Sequence, residues 1–168
     1  MSQLKSLASQ TAVYGASSIV GRMLNYLLVP YYTTVFLTSE YGIVTEFYAY
    51  AVFFNVIYTY GLETAYFRFA SKDDKNESTI YNSAVTFILI RSILLSGLLY
   101  LFSSSIANYL EYPDRGYFIQ WLAALLALDA LVAIPFAKLR IEGKAALFAT
   151  AKLINIGLNI GFNLFLIS

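Results

Sequence analysis

The chain has 168 residues, 59% hydrophobic and 12% charged, with a formal net charge of +1. An ordinary soluble domain carries about 25% charged residues, so this composition, with a mean hydropathy of +0.64, argues against a water-soluble fold. Cysteine and histidine are absent, which removes disulfides, thiol nucleophiles, Cys/His metal sites and imidazole acid/base chemistry, and no basic tract invites nucleic acid. No cofactor or metal is expected.

The first element is the stretch Thr11 to Leu37, TAVYGASSIVGRMLNYLLVPYYTTVFL, whose one charge is Arg22. It is long enough to cross a bilayer as a helix, and an arginine near the middle costs about 2.5–3.5 kcal/mol to insert. At about 100° per residue, Thr11, Gly15, Ser18, Arg22, Asn25 and Thr33 share one narrow arc. That polar face is predicted to look away from lipid, into a cavity or a packed interface. A signal peptide has a shorter apolar core and a small-residue cleavage site, so the segment is expected to stay in the mature protein and span.

Four further spans are predicted: 41–61, about 80–106, about 117–137, and 145–168. The expected architecture is therefore all-α, a polytopic integral membrane protein with about five transmembrane helices beginning with 11–37. Thr38-Ser39-Glu40 forms the first turn, with Thr38 or Ser39 as a cap, and Pro113 marks the break between the third and fourth spans. Lys5, Arg68, Lys72, Lys75, Lys138, Arg140 and Lys144 fall on one side of the membrane, and only Arg115 on the other. The bias predicts a cytoplasmic N-terminus and a solvated cytoplasmic loop from Leu62 to Thr79. Tyr31, Tyr32, Tyr41, Tyr66 and Tyr81 are expected to anchor the two interfaces, and Glu46 to lie in the outer leaflet. The last apolar segment runs to Ser168 without a polar tail, as expected of the front portion of a longer protein.

The remaining cations, Arg22, Arg91 and Lys152, lie inside predicted spans. At about 1.5 Å per residue, Arg22 and Arg91 reach the bilayer midplane, Lys152 is shallower, and Asp129 also reaches the middle. In the fifth span Lys152, Asn155, Asn159 and Asn163 share a polar stripe, with Gly157 and Gly161 opposite as a small-residue packing face. The asparagines fit interhelical hydrogen bonding or a substrate-facing role equally. Asp129 and Arg91 each sit among apolar neighbours, so an ion pair of Asp129 with Arg91, Arg22 or Lys152 is the simplest expectation. One carboxylate cannot neutralise three cations. The surplus predicts a cavity that receives an anion such as phosphate or pyrophosphate, with Arg22, Asn25, Arg91, Lys152, Asn155 and Asn159 as substrate-binding residues and Asp129 as ion-pair or coupling residue.

LTSEYGIVTEFYAYAVFFNVIYTYGLETAYFRF, with Ser39-Glu40-Tyr41-Gly42 at the turn and Gly61-Leu62, Ala65 and Arg68 at its cytoplasmic end, resembles the end of the first span, the short outer turn and the second span of bacterial polysaccharide-unit flippases. RIEGKAALFATAKLINIGLNIGFNLFLI is similar to that family's entry into its fifth span. These flippases, for O-antigen or capsule units, belong to the superfamily that also holds multidrug extruders. The resemblance implies a two-lobed transporter of twelve to fourteen helices, of which 1–168 would be an incomplete N-terminal lobe. It further implies alternating access that moves an undecaprenyl-diphosphate-linked oligosaccharide across the bacterial inner membrane for polysaccharide or lipopolysaccharide biosynthesis. The expected partners are that lipid-linked oligosaccharide, membrane lipids and other polysaccharide-assembly membrane proteins.

Two alternatives stand beside this reading. An ion-coupled multidrug exporter would want a negative cavity, and Asp129 is the only deep carboxylate. A membrane-embedded polysaccharide polymerase or ligase would need a sizeable outer loop and a nucleophile with a base. The sequence offers neither, so a transporter rather than an enzyme is expected.

Overall fold

The computed structural model describes the backbone of residues 2–71, 76–113 and 115–167, with side chains at 2–10, 18, 22, 25, 162–164, 166 and 167 outside the description. The described residues form helices joined by short turns, without a strand. The order is α1 Ser2–Val35, α2 Thr38–Thr59, α3 Leu62–Ala70, α4 Glu77–Leu101, α5 Ser103–Tyr109, α6 Gly116–Ile141 and α7 Ala145–Ile167. They form two packed units, one of Met1–Val44 with Glu142–Ser168 and the other of Thr45–Ile141.

In the first unit α1 packs on α7. The two run parallel: Tyr14 meets Phe148 edge-on at 5.0 Å, and a turn or two further along both helices Gly21 lies against Ile156. A Cβ on Gly21 would fall 2.7 Å from Ile156 Cδ1, so the bare backbone is what lets the two helices close at that level. α1 begins nine residues before the predicted span and continues through Pro30. Tyr31, Tyr32 and Phe36 at its end cluster with Tyr41 across the turn. That turn is tighter than predicted: Thr38 is already helical, and the Leu37 carbonyl accepts the Tyr41 N–H at 3.0 Å.

In the second unit α4 and α6 are antiparallel, with α3 and α5 packed on both of them. α6 presents Ile119, Ala123, Leu126, Ala130, Ile134 and Ala137, all buried. Three alanines at heptad-like spacing keep this face shallow, which lets α4 approach closely. Ile88 and Ser92 answer them from α4. α2 adds Tyr58, which is fully buried. The Ser96 hydroxyl donates to the Ala123 carbonyl at 3.0 Å, so Tyr58 O–H is the donor to Ser96 Oγ at 2.9 Å. One chain of hydrogen bonds thereby joins α2, α4 and α6, satisfying polar groups that the apolar interior cannot.

Two sequence expectations change here. The predicted third span, 80–106, is interrupted at Phe102, where a three-serine run after Leu101 starts α5 as a separate helix. The predicted solvated loop 62–79 holds α3, whose Tyr66 and Ala70 are each 2% exposed, one turn apart on the face that packs. Tyr66, expected at the membrane interface, is therefore a core residue, ring to ring with Tyr81 at 6.0 Å. Lys72 and Lys75 in that loop lie outside the described residues.

α4 and α6 are each long and apolar enough to cross a membrane. A core helix of a soluble protein also passes a test of length and composition, but it is mostly covered by its own chain. Here 11% of the most apolar α4 segment and 33% of that in α6 is buried. Leu94, Leu98 and Leu101 on α4 and Trp121, Leu125 and Leu128 on α6 stay exposed. So large an uncovered apolar surface needs lipid or protein against it.

Candidate functional site

Arg91 is the best-defined of the predicted site residues. It sits just past the midpoint of α4 and is half-buried. α2 ends at Thr59, because Tyr60 and Gly61 both take left-handed backbone angles, φ 48° and 69°. A helix that stops leaves its last carbonyls without amide partners. Arg91 Nε donates to one of them, the Ile57 carbonyl, at 3.0 Å, and its guanidinium lies 4.4 Å from the centre of the Tyr60 ring. The cation also complements the negative end of the α2 dipole. Among the described residues no carboxylate pairs with it.

Asp129 does not pair with Arg91, and the side chain of Arg22, another of its expected partners, lies outside the described residues. Asp129 stands on an exposed part of α6, about 80–100° round from the buried alanine face at ~100° per residue, and makes no ion pair with any described residue. The physical reason is the face that α6 chose: the alanines took the seam with α4, and Asp129 had to point aside. The ion pairs among the described residues lie instead near the ends of helices, Glu63 with Arg140 and Glu142 with Lys144.

In the other unit Lys152 is half-buried on α7, its ammonium 5.5 Å from the Phe148 ring, which in turn meets Tyr14 of α1. Asn155 and Asn159 are exposed on the same helix, flanking the face that packs on α1. The Gly157 and Gly161 face has nothing within 4 Å of either position, so it is not the surface that α1 uses. The side chains of Arg22, Asn25 and Asn163 lie outside the described residues.

Sequence reasoning missed a polar cluster at the other end of α2. Glu46 accepts hydrogen bonds from Tyr50 and Tyr112, each at 2.6 Å. Glu46 beside it holds the Tyr112 hydroxyl above its ordinary pKa. Phe47 packs on Tyr112 and Phe118, closing the cluster. The Glu46-to-Tyr50 spacing of four was the available signal. Tyr112, 66 residues away, had none.

Residues 35–167 match the family model described as polysaccharide biosynthesis protein. The chain belongs to the polysaccharide biosynthesis protein family. No curated relative and no solved structure matches it. Family membership and the uncovered apolar helices together make this polysaccharide biosynthesis protein a membrane protein. The matched region begins at the end of α1 and takes in Arg91, Asp129, Lys152, Asn155 and Asn159, leaving Arg22 and Asn25 outside it.

Proposed function

We propose that this chain is part of a transporter, not an enzyme, that flips an undecaprenyl-diphosphate-linked oligosaccharide across the bacterial inner membrane, with its N-terminus in the cytoplasm. The observation that carries the reading is a half-buried arginine without a carboxylate partner among the described residues, set midway along an apolar helix of a polysaccharide biosynthesis protein. A guanidinium so placed wants an anion, and its planar fork suits the oxygens of a diphosphate. Arg91 would engage the diphosphate through its terminal amines while Nε keeps the Ile57 carbonyl. Lys152 and Arg22 would add charge, and Asn25, Asn155 and Asn159 would supply hydrogen bonds to diphosphate or sugar. Asp129, exposed on α6, is free to serve ion coupling. Other polysaccharide-assembly membrane proteins would deliver and receive the sugar unit.

The test replaces Arg22, Arg91 and Lys152 singly by alanine in the full-length protein and measures surface polysaccharide in cells alongside protein level. Loss of polysaccharide with normal protein level is expected for Arg91→Ala. Normal polysaccharide in all three variants would end the assignment.

A further inference from the structure

α2 and α3 follow one path along α4. Glu46 of α2 reaches Tyr112, beyond the far end of α4; Tyr58 meets Ser96; and Tyr66 of α3 meets Tyr81 near the start of α4. Successive contacts thus descend α4 as the chain passes from Thr45 to Ala70, and the break at Tyr60-Gly61 falls opposite Arg91, at mid-length. Inside a span, backbone that leaves the helix must find partners within the protein. Here Thr59 Oγ1 donates to the Asn55 carbonyl at 2.9 Å and Arg91 Nε serves Ile57. Interrupted helices of this kind form the substrate and ion sites of many transporters.

We infer that α2 and α3 are two arms of one discontinuous spanning helix, jointed at Tyr60-Gly61 and latched by Arg91. Arg91 does two things at the joint: it caps the end of the upper arm, and it covers the ring of the residue whose backbone is left-handed. The upper arm is fixed immediately before the joint by the Tyr58–Ser96–Ala123 chain. The lower arm is anchored in the core by Tyr66 and Ala70, each 2% exposed, and tied at its start by Glu63 on Arg140. Release of Arg91 loosens the angle at Tyr60-Gly61 between two arms that are each anchored away from the joint. The inference concerns this joint and is independent of which molecule the protein carries.

Because the sequence has no cysteine, nitroxide labels can be placed uniquely at Val52→Cys on α2 and Phe69→Cys on α3, which are 71% and 58% exposed. Inter-label distances are then measured by pulsed electron resonance on the full chain in lipid nanodiscs. A continuous helix between the two positions would give a rise of about 25 Å at ~1.5 Å per residue. The bent joint should give one narrow, shorter distribution. Arg91→Gln should add a second, resolved population. Gly61→Ala should shift the distribution toward the continuous value, because an added Cβ meets nothing within 4 Å and acts only on the left-handed backbone. Should Arg91→Gln fail to fold by circular dichroism, Gly61→Ala decides alone. An unchanged distribution in the folded variants, or a parent distance equal to the continuous-helix value, overturns the joint.

Discussion

Tyr58 shows what one hydroxyl does in an apolar bundle. Its ring is fully buried and its O–H begins a relay that ends on a backbone carbonyl of α6. Tyr58→Phe keeps the ring and removes the donor, while Ser96 can still donate to Ala123. The expected loss is about 1 kcal/mol, read from denaturant titration of the protein in micelles. Ser96→Ala should cost more, since it leaves the buried Tyr58 hydroxyl without a partner, while the Ala123 carbonyl keeps its helical one. Glu46 poses a different case, being the single acceptor for two phenols. Glu46→Gln should lower Tm. Tyr112→Phe on top of it should lower Tm by less than Tyr112→Phe alone does in the parent, a non-additivity that a double-mutant cycle measures directly.

Between helices, the size of side chains at each seam decides what packs. Ala130 is fully buried where α4 crosses α6, so Ala130→Leu should overpack the seam and cost about 1–3 kcal/mol, seen as a lower midpoint in the same titration. At the α1–α7 seam the atom nearest a new Cβ on Gly21 is the end of the Ile156 side chain. Gly21→Ala should be absorbed by a rotamer change, whereas Gly21→Leu should part the helices. Thiol cross-linking between Tyr14→Cys and Phe148→Cys reports the difference, its yield falling only in the leucine variant.

Helix content and the apolar character of the second unit were legible in the sequence because long uninterrupted apolar runs admit few other readings. Breaks inside those runs were not. Gly61 read naturally as the end of a span, and the charges of Glu63, Arg68 and Lys72 made the following residues look like solvated loop. Yet Tyr66 and Ala70, four apart, already marked a packed face. Phe102 carries no breaker at all. At the site, the presence of Arg91 deep in a span could be read from position, but its hold on Ile57 depends on where α2 stops, which is a tertiary fact. The side of α6 that carries Asp129 was illegible for the same reason: its apolar neighbours in sequence said nothing of which face the alanines would bury.

For the whole chain, the placement of the cations predicts how the helices thread the membrane. Single cysteines at exposed Tyr109 and Arg68, probed in cells with a membrane-impermeant thiol reagent, should label only Tyr109→Cys if the proposed orientation holds. Labelling of Arg68→Cys alone would invert it. The pairing of α1 with α7 carries a consequence for biogenesis. In the second unit Glu63 waits 77 residues for Arg140, but Tyr14 must wait for Phe148, more than a hundred residues downstream. At about 5–20 residues per second of synthesis, α1 is made roughly 7 to 27 seconds before its mate. During that interval its notch at Gly21 is open to whatever chaperone or insertase attends the nascent chain.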